Sequence, residues 1–135
     1  MREPRIPLPH GIRKRDSHLY GITGWISQPA NEVECAAFGG YFRYDVKDEL
    51  VVDGQLIDMW GSSSIEGEMT DDRLEFSKKY DQRKDVVNYR FKKQGGIWIG
   101  EYSGVGTEKG PAQCTTFLAE IDAFQIACGK PSARC

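Results

Sequence analysis

Over residues 65–91 the chain alternates apolar and polar side chains with a period of two, a pattern that only a β-strand can turn into a core face and a wet face. Ile65, Gly67 and Met69 alternate with Glu66 and Glu68. Asp71-Asp72 supplies a turn, and Leu74, Phe76, Lys78 and Tyr80 then alternate with Arg73, Glu75, Ser77 and Lys79. A helix would scatter these residues round its circumference, whereas an antiparallel hairpin sorts them onto two faces. Val87, Tyr89 and Phe91 repeat the alternation. Gln94-Gly95-Gly96 then turns the chain into Ile97-Trp98-Ile99-Gly100-Glu101-Tyr102.

Extended runs over residues 19–26, 35–44 and 54–60 precede this region, and residues 113–121 follow it beyond a Gly-rich loop over residues 104–110. The composition agrees, with 15 Gly for turns and 6 Phe, 6 Tyr and 3 Trp for flat apolar packing. Eight sequential strands with no crossover helix bury a common face by closing on themselves, which also removes exposed sheet edges. The fold expected is all-β: an eight-stranded antiparallel up-and-down β-barrel over residues 18–122. A two-sheet sandwich is the alternative, but its Greek-key return needs a long connection, and the turns here are short.

Residues 1–17 read as a basic, Pro-rich arm, with Arg2, Arg5, Arg13, Lys14 and Arg15 among Pro4, Pro7 and Pro9. Residues 123–135 read as a loose tail. No apolar run reaches the roughly 18 residues of a membrane-spanning helix, and no secretory signal is visible, so a cytoplasmic chain with reduced thiols is expected. Eighteen Lys plus Arg against 20 Asp plus Glu give a net charge of -2, which offers no field for nucleic acid. Cys35, Cys114, Cys128 and Cys135 form no C-x-x-C pair, and the two histidines lie near the N-terminus, so neither a metal nor any other cofactor is implied. No G-x-S-x-G, H-E-x-x-H or phosphate-loop spacing occurs.

The segment Trp98-Ile99-Gly100-Glu101-Tyr102, with Thr115-Thr116-Phe117-Leu118 after it, resembles the W-x-G-x-Y and following strand of avidins. Gly54, Asp58, Ile65, Gly67 and Phe76-Ser77-Lys78-Lys79-Tyr80 are similar to patterns in calycin-like proteins. The likeness is therefore to the calycin superfamily of lipocalins, avidins and fatty-acid-binding proteins, and it implies an interior ligand pocket with Trp98 and Phe117 among its lining. The chain departs from each branch. Gly24 directly precedes Trp25 where lipocalins have Gly-x-Trp, and residues 27–34 are too few for the helical lid of fatty-acid-binding proteins.

Lys78 and Tyr80 share a face with Leu74 and Phe76. Three readings stand for Lys78: a rim residue snorkelling to water, a contact for an anionic ligand, or half of an internal salt bridge. Asp58 is the acid nominated for that bridge. Ile57 and Met59 make an equally good inner face, however, and they favour an Asp58 that points outward. A ligand inside the barrel would meet Lys78 and Tyr80 with its polar group and Phe76, Tyr89, Phe91, Trp98, Tyr102 and Phe117 with its apolar part. If Trp98 faces in, Ile97 and Ile99 face out and suggest a homodimer. The leading function is a noncatalytic barrel for a small, partly apolar ligand, anionic if Lys78 is its anchor. A packed barrel serving as an interaction module is the alternative, and a calycin-like isomerase the third.

Overall fold

A computed structural model describes residues 17–29, 32–104 and 108–119. Eight strands follow one another: β1 (Ser17–Gln28), β2 (Val33–Asp45), β3 (Leu50–Asp58), β4 (Gly61–Met69), β5 (Arg73–Tyr80), β6 (Val86–Gln94), β7 (Ile97–Ser103) and β8 (Lys109–Leu118). Each pairs antiparallel with the next, and β1 pairs with β8, from Tyr20 opposite Leu118 to Ile26 opposite Ala112. The result is a closed up-and-down barrel with no helix among the described residues. The expected arm, apart from Ser17, and the expected tail lie outside the described residues.

The alternation decides which side chains enter. Leu74, Phe76, Lys78 and Tyr80 of β5 are buried, while Arg73 and Lys79 are exposed. Inside, Phe76 stacks on Tyr89 at 4.8 Å between ring centroids, Tyr89 stacks on Phe91 at 6.0 Å, and Phe38 meets Tyr89 edge-on at 5.9 Å. Ile22, Phe42, Leu56 and Leu74 are fully buried beside them. At Gly100 on β7 the neighbouring β6 backbone leaves no room for a side chain: a Cβ there would run into the Arg90 carbonyl.

The third strand differs from expectation in its start, its facing and its end. β3 begins at Leu50 instead of residue 54, because its pairing with β4 slips between Val51 and Gly54, with Asp53 at φ 51°. That bulge reverses the parity, so Val51 faces in before it and Leu56 and Asp58 face in after it, and a strict two-residue period fails across the junction. Ile57 and Met59, which favoured the inner face, are both 67% exposed. Trp60 sits in the β3–β4 turn and not in the strand.

Candidate functional site

Asp58 and Lys78 are brought together across β4. Asp58 pairs with Gly61, while Ile65 and Ser63 on the same strand pair with Lys78 and Tyr80. Two interstrand spacings, about 9–10 Å, separate β3 from β5. A carboxylate and a long ammonium side chain span that gap over the small, fully buried Ser63, which lies on β4 between Gly61, the partner of Asp58, and Ile65, the partner of Lys78. Ser63 Oγ donates to the Leu56 carbonyl at 3.4 Å, so it too is satisfied within the wall.

The three groups form a closed triangle. Lys78 Nζ donates to Asp58 Oδ2 at 2.8 Å and to the Tyr80 hydroxyl at 2.9 Å, and that hydroxyl donates to Asp58 Oδ2 at 2.7 Å. The other carboxylate oxygen, Oδ1, accepts the Trp60 backbone N–H at 2.8 Å, which ties the pair to the β3–β4 turn. The Lys78 and Asp58 side chains are only 2% and 3% exposed. Of the three readings of Lys78, the geometry is that of the internal salt bridge. Asp58 faces inward, correcting the outward orientation that Ile57 and Met59 favoured.

Burial lowers the Lys78 ammonium below its ordinary value, against the opposing pull of the Asp58 hydrogen bond and charge. The Tyr80 phenol is raised by burial, with the hydrogen bond to Asp58 and its negative charge acting the same way. The ammonium also lies 5.2 Å from the Tyr89 ring centroid, within cation–π range.

Tyr89 completes the polar interior. Its ring is held in the Phe38, Phe76 and Phe91 stack, but its hydroxyl is buried with no hydrogen-bond partner among the described residues. Burial raises this phenol strongly, and the nearby Tyr80 and Asp58 add to the shift. It is an unspent hydrogen-bonding group facing the same interior as the Asp58–Lys78–Tyr80 triangle.

Of the residues expected to line a pocket, Lys78, Tyr80, Phe76, Tyr89, Phe91, Trp98 and Tyr102 are all buried on inward faces. They do not share one place. Tyr80 and Tyr102 stand near the ends of β5 and β7, whereas Trp98 enters at the start of β7, toward the opposite mouth, where its indole N–H donates to Thr116 Oγ1 at 3.1 Å. Phe117 is a correction: it is 52% exposed and lies outside the barrel, its ring over Gly21, its strand partner. The inner positions of β8 go to Ala112, Cys114 and Thr116, side chains small enough to fit beside Trp98. Phe38, which the sequence reading did not nominate, lies opposite Asp58 on β2 and joins the aromatic wall.

Cys35 is an exposed free thiol and Cys114 a buried one, its thiol pushed up to about 12 by burial. Among the described residues no three His, Cys, Asp or Glu side chains cluster to hold a metal. The outer wall carries grooves, one of about 450 Å³ lined by residues that include Asp53, Gln55, Ser64, Glu66, Ser77 and Lys79.

Fold and site together define a closed eight-stranded antiparallel barrel with an ion pair and aromatic residues inside. Comparison with protein-family models, curated proteins and solved structures finds no match for this chain.

Proposed function

We propose that the protein is a noncatalytic, calycin-like barrel that binds a small, partly apolar molecule in its interior, beside Asp58, Lys78 and Tyr80. The observation that carries this reading is the buried Tyr89 hydroxyl, which has no hydrogen-bond partner among the described residues. Leaving such a group unmet costs about 1–3 kcal/mol, and a ligand atom placed against it removes that cost. The surrounding rings of Phe38, Phe76 and Tyr102 suit the apolar part of such a molecule. The eight-stranded up-and-down topology supports the calycin likeness as architecture. Native mass spectrometry of the purified protein tests the reading: a copurifying small molecule supports it, and a bare chain that stays bare with offered ligands opposes it.

The packed interaction module is the second reading, favoured by the ring stacking through the core and by Ile57 and Met59 standing free on the surface. An interior filled entirely by the chain's own side chains would select it. The homodimer is proposed through the outer wall of β7, where Ile97 and Ile99 are half-buried on the face opposite Trp98.

A further inference from the structure

Charge bookkeeping within the barrel bears on which molecules it admits. Lys78 and Asp58 neutralise each other at 2.8 Å. Asp58 Oδ2 already accepts from Lys78 and Tyr80, and Oδ1 already accepts the Trp60 N–H. The Tyr80 hydroxyl donates to one member of the pair and accepts from the other. An anion taking the remaining N–H of Lys78 would lie beside the Asp58 carboxylate, itself only 3% exposed, and would meet its like charge in a site shielded from water. A cation would have to share Asp58 with an ammonium already bound to it. The Tyr89 hydroxyl is different: it is neutral, its residue is 1% exposed, and it has no hydrogen-bond partner among the described residues.

Resting on the interior-binding reading above, we infer that the ligand is an uncharged molecule with a flat apolar body and a hydrogen-bond acceptor, such as an amide or ketone oxygen, that receives the Tyr89 O–H. The body lies against Phe38 and Phe76, the rings in contact with Tyr89. Lys78 then serves as a fixed wall group whose charge is spent on Asp58. This replaces the anionic ligand that the sequence alone suggested for Lys78.

The test is titration of the full chain with matched amide and carboxylate pairs, followed by NMR of labelled tyrosine and phenylalanine side chains: benzamide against benzoate, indole-3-carboxamide against indole-3-carboxylate, octanamide against octanoate. The expected result is that at least one amide binds and shifts Tyr89, at least tenfold more tightly than its carboxylate partner. Tyr89→Phe keeps the ring and removes only the hydroxyl, so it should weaken that amide by about 2- to 12-fold, the worth of one neutral hydrogen bond. Carboxylates binding as tightly as amides overturn the neutral-ligand inference and leave interior binding standing. An amide whose affinity is unchanged in Tyr89→Phe overturns the assignment of the donor. No shift of interior resonances by any of the six compounds at millimolar concentration overturns both the inference and the reading beneath it.

Discussion

Asp58 Oδ2 and Lys78 Nζ lie 2.8 Å apart inside the barrel, on strands that do not pair with each other. Their contact spans β4 and fixes the relative heights of three strands at once, because a two-residue slip of β5 would carry the ammonium away from the carboxylate. Such a pair is poor evidence of net stability, since replacing it whole with apolar groups is often neutral or stabilising. Breaking it is another matter.

Asp58→Asn and Lys78→Met, made singly, should each destabilise the fold by about 3–5 kcal/mol, because each leaves one charged partner buried and alone. The double change Asp58→Asn/Lys78→Met should cost clearly less than the sum. Urea unfolding of the four proteins in a double-mutant cycle measures this. Strictly additive costs would mean that the two side chains do not meet.

Alkaline pH should weaken the fold, and Cys114 isolates one contribution. Its thiol has an ordinary value of 9.0 and is raised to about 12 in the folded chain by burial alone. Between those values the unfolded chain releases a proton that the folded chain keeps. The contribution is therefore fully present below pH 9 and is lost as pH rises toward 12, at up to about 1.4 kcal/mol per pH unit. The raised phenols of Tyr80 and Tyr89 add losses of the same sign above pH 10, while the lowered Lys78 acts in the opposite direction below its ordinary 10.5. Cys114→Ala should flatten the stability-against-pH curve between pH 9 and 12, read from urea midpoints; an unchanged slope would place the thiol in water.

Gly100→Ala should destabilise by about 1–3 kcal/mol, the usual range for overpacking, because the new methyl meets the Arg90 carbonyl. Gly96→Ala is the control, with nothing within 4 Å of its added Cβ. Thermal melts of the two variants should separate clearly. Equal melting temperatures would mean that β6 and β7 do not approach closely at Gly100.

The strands of the central hairpins were legible because residues 65–69, 73–80 and 87–91 each alternate without interruption, and the inward set of Phe76, Lys78, Tyr80, Tyr89 and Phe91 follows directly from the parity within each run. The facing of β3 was not legible. The bulge at Val52–Asp53 shifts the period, and Asp58 looks like a surface residue until Lys78, two strands away, is beside it. Periodicity reports on one strand, and hairpin patterns on two; this pair needs three. Phe117 misled for a related reason: the inner face of β8 is built from Ala112, Cys114 and Thr116, so hydrophobicity pointed to the wrong face. The unpartnered Tyr89 hydroxyl leaves no trace in sequence at all, because it is a statement about what every neighbouring strand fails to offer.

The proposed homodimer should dissociate on Ile99→Lys, since a charge placed on the half-buried outer wall of β7 would be desolvated at any interface there. Light scattering at high micromolar concentration should find twice the chain mass for the wild type and the single chain mass for the variant. A monomeric wild type would rule the dimer out.

Interior binding is tested most directly by native mass spectrometry of the protein as purified and after incubation with the matched amides. The expected result is a one-to-one adduct that is lost on denaturation and is weakened in Tyr89→Phe. A chain that stays bare under both conditions would contradict interior binding and leave a barrel filled by its own side chains.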